Sequence, residues 1–87
     1  MKELRWDPAK NEWLKRTRGM SFEDIIQTKL LAIEQHPSRT NQKIMVFEHQ
    51  NYVWVVPCIE SADGYFLKTL FPSRKYRQRY GPGGQVP

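Results

Sequence analysis

The chain has 87 residues, of which 39% are hydrophobic and 13% aromatic, and carries a net charge of +5 at neutral pH. That length holds one domain with one small core, since a chain of this size buries only about 60% of the surface it exposes when unfolded. A lone cysteine, Cys58, excludes an internal disulfide and fits the reducing cytoplasm; the longest apolar run, Tyr52 to Ile59, is too short to span a bilayer, and the charged N-terminus lacks a signal-peptide core.

In chain order, Leu4 to Trp6 reads as a short extended piece. Asp7 then caps a helix with Pro8 in its first position, and Gly19 stops it after Arg18. The rival reading of Asp7 is a carboxylate that orients Lys10 or a C-terminal arginine. Ser21 starts a second helix, with Asp24 as an acidic capping-box partner and Met20 placed to staple onto Ile25; it is expected to end near Gln27 to Lys29. Leu30 to His36 reads as a strand, although Leu30 to Ile33 could equally prolong the helix. A polar loop, Pro37 to Gln42, leads to a strand over Ile44 to Glu48 and a tight turn at Gln50-Asn51. Tyr52 to Glu60 is apolar on both faces, as a central strand should be, yet Pro57 argues for a bulge or an edge. Ala62-Asp63-Gly64 turns the chain into a last strand, Tyr65 to Phe71, which Pro72 breaks. Ser73 caps a basic helix over Arg74 to Tyr80. The expected fold is α+β: two N-terminal helices and the short basic helix packed on one side of a small antiparallel sheet. Residues 1–80 form the domain, and the Gly/Pro-rich tail 81–87 is expected to be disordered.

The stretch from Lys68 to Tyr80 carries Lys68, Arg74, Lys75, Arg77 and Arg79 with no acidic residue, interleaved with Tyr76 and Tyr80. Cations with aromatic rings between them suit a nucleic acid, where phosphates pair with the charges and bases stack on the rings. The alternative is a solvated helix that only confers solubility.

Three local patterns resemble the BrnT-like toxins of type II toxin–antitoxin systems. They are Trp6-Asp7-Pro8-Ala9-Lys10-Asn11, Arg18-Gly19-Met20-Ser21-Phe22-Glu23-Asp24, and the strand end running through Pro72-Ser73-Arg74-Lys75 into the basic helix. The resemblance spans roughly residues 3 to 80, with no specific motif between Leu30 and Glu60. It implies a small ribonuclease with a fold akin to the RelE group, acting on mRNA that is free or ribosome-associated. It also implies a cognate antitoxin that neutralises it, and contact with promoter DNA only through that antitoxin. A covering segment should be acidic or amphipathic, and Arg74 to Tyr80 is the region it would cover.

Cutting RNA without metal or cofactor needs a base for the ribose 2′-OH, an acid for the departing 5′-oxygen, and cations for the charge gathering on phosphorus. His36 and His49 suit either proton role, with Glu34 and Tyr80 as the other proton carriers. Lys68, Arg74 and Arg77 are the candidate electrophilic groups. The catalytic set read from the sequence is His36, Glu34, Lys68, Arg74 and Tyr80, with Lys75, Tyr76, Arg77 and Arg79 binding RNA. Strand alternation places Ala32, Glu34 and His36 on one face, and Phe66, Lys68 and Leu70 together opposite Leu67 and Phe71. His36 and His49 could instead be ordinary surface histidines. Trp6, Trp13 and Trp54 read as core or interface residues, and Cys58 as a buried, inert thiol. No metal-ligand spacing, phosphate-binding glycine loop or Ser–His–Asp set is present.

Overall fold

Asp7 accepts a hydrogen bond from the Ala9 amide at 3.0 Å and so starts the first helix as a cap. Gly19 ends it at φ +69°, the left-handed conformation that glycine adopts without penalty, and its amide donates to the Lys15 carbonyl. The computed structural model describes residues 3–80, so the expected disordered tail lies outside the described residues. The elements are β1 (Glu3–Trp6), α1 (Pro8–Arg18), α2 (Phe22–Ile25), β2 (Lys29–Gln35), β3 (Gln42–His49), β4 (Tyr52–Ser61), β5 (Gly64–Leu67), β6 (Phe71–Pro72) and α3 (Arg74–Tyr80). No described helix is long and apolar enough to cross a membrane.

One six-stranded sheet dominates the fold, ordered β1-β5-β4-β3-β2, with β6 paired to β4 beyond the end of β5. After a turn at residues 26–28, the segment from Lys29 is a strand and not a continuation of the helix; it pairs with β3 through a register shift between Leu30 and Ala32. Gln50 and Asn51 both take positive φ, as a two-residue turn between twisted strands requires. β1 pairs with β5 in parallel, and a side chain on Gly64 would meet the Glu3 carbonyl at 2.2 Å, so glycine is what lets the two backbones close up.

The expected arrangement of two N-terminal helices and a basic helix on one side of a small antiparallel sheet is therefore corrected. The sheet is the larger part, one pairing is parallel, and α2 is a single turn. The helices also divide between the faces. Leu14, Phe22 and Ile25 of the first two helices pack on Met45, Phe47, Val56 and Cys58. Tyr76 and Tyr80 of α3 pack on Val46, Val53 and Val55, which alternation turns to the opposite face. A β4 that is apolar on both faces has a helix layer on each.

Pro57 lies in the middle of β4, and its carbonyl accepts from the Lys68 amide at 2.9 Å. A strand residue turns its N–H and C=O to the same neighbour, so the donor that proline lacks is missing on the β5 side. The partner strand is broken there. Leu67 faces Cys58 and Phe71 faces Val55, so four steps along the partner match three along β4. That is a one-residue bulge, and it reverses alternation. The expected grouping of Phe66, Lys68 and Leu70 on one face is corrected accordingly. Leu70 turns into the core with Leu67, and Phe71 joins the face of Phe66 and Lys68. The Leu70 carbonyl freed by the bulge accepts from Arg18 at 2.6 Å.

Asn11, almost fully buried, joins the two N-terminal helices. Its Oδ1 accepts from the Phe22 amide at 2.7 Å, and its Nδ2 donates to Glu23 at 2.8 Å, which lowers the Glu23 carboxyl below its usual value. Trp6 stacks on Phe22 at 5.5 Å between ring centres. Asn11→Ala leaves the buried Phe22 amide without an acceptor and should destabilise the fold by about 2 kcal/mol in urea unfolding. Asn11→Asp keeps that acceptor but loses the donor to Glu23 and sets two carboxylates together, so it should not restore full stability.

Candidate nucleic-acid interface

Ser73 begins α3 by two contacts: its hydroxyl accepts from the Tyr76 amide at 3.1 Å, and its own amide donates to the Val53 carbonyl at 2.9 Å. The helix is thereby pinned to β4 at its first residue. Tyr76 and Tyr80, one turn apart, lie half-buried against the valines of β3 and β4, with parallel rings 6.4 Å apart. The sequence suggests rings on which bases stack; in the structure both tyrosines are the contact face of the helix. Arg79 covers them from outside, its guanidinium 4.8 Å from the Tyr76 ring and 5.4 Å from the Tyr80 ring.

Glu34, on β2 at the edge of this face, accepts through one carboxylate oxygen from both Arg79 and the Tyr80 hydroxyl. The hydrogen bond to Glu34 raises the Tyr80 phenol above its ordinary value, and the same carboxylate raises Arg79. Glu34, Tyr80 and Arg79 are thus brought together, with Tyr76 beside them.

His36 follows Glu34 on the same side of the strand, and its amide continues the ladder by donating to the Gln42 carbonyl. Its ring bends back: Nδ1 accepts from the Ser38 amide at 3.2 Å, which places the proton of the neutral ring on Nε2. The loop from Gln35 to Thr40 curls around a hollow of about 310 Å³ beside this ring. No described hydrogen bond or ion pair joins His36 to Glu34, Arg79 or Tyr80.

Lys68 is on the same face but on the far side of β4, roughly 14 Å from β2 at about 4.8 Å per strand. Arg74 and Lys75 are exposed on the outer side of α3. Among the described residues none of these three cations has a carboxylate within ion-pairing distance. Arg77 turns away to the β3–β4 turn, reaching the Asn51 carbonyl at 3.5 Å and sitting 5.2 Å from the Tyr52 ring. The five-residue catalytic set is therefore spread along one surface, with only Glu34 and Tyr80 in contact.

His49, a candidate proton carrier in the sequence with a surface histidine as the alternative, lies apart from Glu34. It is half-buried on the opposite, α1/α2 side, between two adjoining clefts of about 540 and 490 Å³ that share Gly19, Met20 and Gln50. Asp24, Lys29 and Tyr52 are at their rims. No sequence motif marks this hollow, because it arises where the α1–α2 turn meets the β3–β4 turn, far apart in the chain. Trp6 and Trp54 pack on the core, while Trp13 stays exposed beneath Lys10 and Arg18. Cys58 is buried, and burial pushes its thiol up to about 11, so it is no nucleophile at neutral pH. Among the described residues no three His, Cys, Asp or Glu side chains gather as metal ligands would.

Comparison with protein-family models, with curated proteins and with solved structures finds no match to this chain.

Because the Glu34 carboxylate raises the Tyr80 phenol, Glu34→Gln should let Tyr80 ionise at lower pH in an ultraviolet titration, and Tyr80→Phe should remove that tyrosine from the curve. The sign for stability follows. A phenol whose folded value is raised supports the docked helix below about pH 10, and that support fades as pH climbs through the folded value. The pair is half-exposed, so Glu34→Gln should cost no more than about 1 kcal/mol of stability at neutral pH.

Proposed function

We propose that this protein is an endoribonuclease toxin that holds single-stranded RNA across the α3 face and cuts it beside Glu34, and that a cognate antitoxin neutralises it by covering α3. The observation that carries this reading is the meeting of Glu34 with Arg79 and Tyr80 on a face that also bears Arg74, Lys75 and Lys68, which have no carboxylate partner among the described residues. The net charge of +5 and the resemblance of the three terminal patterns agree with it.

In the reaction, the ribose 2′-oxygen attacks phosphorus while Glu34 takes its proton. Arg79, already on the Glu34 carboxylate, meets the charge that builds on the phosphoryl oxygens. The bond from phosphorus to the 5′-oxygen breaks, leaving a 2′,3′-cyclic phosphate. His36, protonated on both nitrogens and released from the Ser38 amide, returns a proton to the departing oxygen. Two residues on one face of a strand are about 7 Å apart, a separation that lets the two groups flank one phosphodiester. Arg74 and Lys75 contact neighbouring phosphates.

A second reading, a non-catalytic RNA- or protein-binding module paired with a repressor, draws on two facts. Glu34 already accepts from two donors, and the His36 ring is held by Ser38. The two readings part on Glu34. Incubated with single-stranded RNA in EDTA, the wild type should release cyclic-phosphate ends, and Glu34→Gln or His36→Ala should slow cleavage about 100-fold or more with the fold intact. His49→Ala should leave the rate unchanged. A wild type that binds RNA without cutting it favours the binding module. Loss of cleavage in His49→Ala alone moves the chemistry to the opposite face. Replacing Arg74 and Lys75 together by alanine should weaken binding and reduce the salt slope by about 1.4, at about 0.7 per phosphate contact on a single strand.

A further inference from the structure

The rings of Tyr76 and Tyr80 are already taken by the sheet, by each other and by Arg79. A base on this face needs another aromatic surface. The strands opposite Pro57 supply two: Phe66 by regular alternation and Phe71 because the bulge turns it outward. Along one side of β4, Ile59, Pro57 and Val55 point to the α3 face; across from them stand Phe66, Lys68 and Phe71 in that order. Phe66 is 40% exposed and Phe71 37% exposed, large values for aromatic rings in strands hydrogen-bonded to the central strand of a sheet. Successive steps of two residues along β4 put them about 13 Å apart with Lys68 between them. Arg5 of β1 stands directly beside Phe66, held loosely by the exposed Glu3 and Asp63 at 3.4 and 3.6 Å. The seven-residue α3 leaves this strip uncovered, since its tyrosines pack on Val46, Val53 and Val55.

We propose that Phe66 and Phe71 are a base-stacking platform for single-stranded RNA, with Lys68 binding a backbone phosphate between them. The other exposed apolar side chains do not offer this. Trp13 lies under two cations, and Leu30 and Ile33 are aliphatic and belong to the α1/α2 face at the β2 edge. Two flat rings separated by about two two-residue steps of an extended strand, with a cation between them that has no acidic partner among the described residues, match a polyanion whose bases stack better than an acidic peptide, whose carboxylates offer no flat ring surface. The strip sets its bases about three strands from Glu34. The platform therefore positions the strand, and its residues take no part in proton transfer. This inference rests on the reading that the α3 face binds RNA.

The test uses a short single-stranded RNA methylated at every 2′-oxygen, which cannot be cut because its nucleophile is blocked, and follows its binding by fluorescence anisotropy. Phe66→Ala and Phe71→Ala should each weaken binding about 5- to 100-fold, the range for loss of one stacked base. Phe66→Tyr and Phe71→Tyr should bind like the wild type. A matched oligonucleotide with abasic sites should bind the wild type weakly and lose little further in the alanine variants. Both phenylalanines are partly exposed, so each alanine variant should lose no more than about 1 kcal/mol in urea unfolding and stay folded at the temperature of the binding assay. If the wild type binds the RNA and the alanine variants bind it equally well, the platform is wrong while RNA binding stands. If the alanine variants lose as much affinity for the abasic strand as for the intact one, the rings do not stack on bases and the platform is wrong. If the wild type binds no RNA, the functional reading fails and the platform fails with it.

Discussion

The missing amide hydrogen of Pro57 shapes the half of the molecule that carries the proposed function. β4 is the central strand, paired with β3 from Tyr52 to Ile59 on one side. On its other side a continuous partner cannot form, because proline offers no donor to the residue opposite. The chain accommodates the gap with one extra residue between Leu67 and Phe71. That residue sends Leu70 into the core, where Arg18 meets its carbonyl, and sends Phe71 outward. It also fixes where β6 ends and where Ser73 takes its bond to Val53, which is the starting point of α3.

From that start α3 has one way to bury apolar surface. A seven-residue helix is too short to hold its shape alone, so its stability comes from the face it packs. Tyr76 and Tyr80 provide that face, and the Glu34 contacts with Arg79 and Tyr80 fix its far end to the sheet edge. The aromatic groups of the basic segment are consumed by this docking, and Arg79 is held over them at the edge of the sheet. Arg74 and Lys75 remain outside, where long-range attraction to a polyanion is their plain physical effect. The contacts at Glu34 are half-exposed and add little to stability, so their geometry matters more for charge placement than for holding the fold.

Much of the local structure was legible from side-chain chemistry. Asp7, Gly19, Ser21, Asn51 and Ser73 each act within a few residues, and each does in the structure what its neighbours in sequence suggest. The segments Trp6 to Asn11 and Arg18 to Asp24 hold joints of the fold: Asn11 bonds Phe22 and Glu23, Trp6 stacks on Phe22, and Arg18 holds the bulge. What could not be read is non-local. The parallel pairing of β1 with β5 joins residues about sixty positions apart, and no spacing in the sequence announces it. The side of the sheet on which α3 lands depends on the path after the bulge, not on the composition of the helix. Pro57 did announce a bulge or an edge, yet the sequence could not say which strand would take the extra residue, so the grouping of Phe66, Lys68 and Leu70 came out wrong by one position. Of the candidate site, Glu34 and Tyr80 were named as proton carriers, but their meeting across a sheet was not visible. The His49 cleft likewise forms between two turns distant in sequence.

The central claim is that RNA lies on the α3 face and not in the hollow by His49. Photocross-linking measures that most directly. A 2′-methylated single strand carrying 4-thiouridine is irradiated on the wild-type protein, and the attached peptides are mapped by mass spectrometry. The account predicts attachment at Phe66, Phe71 and the outer side of α3. Attachment confined to Gly19, Met20, His49 and their neighbours, with the α3 face unlabelled, would contradict it.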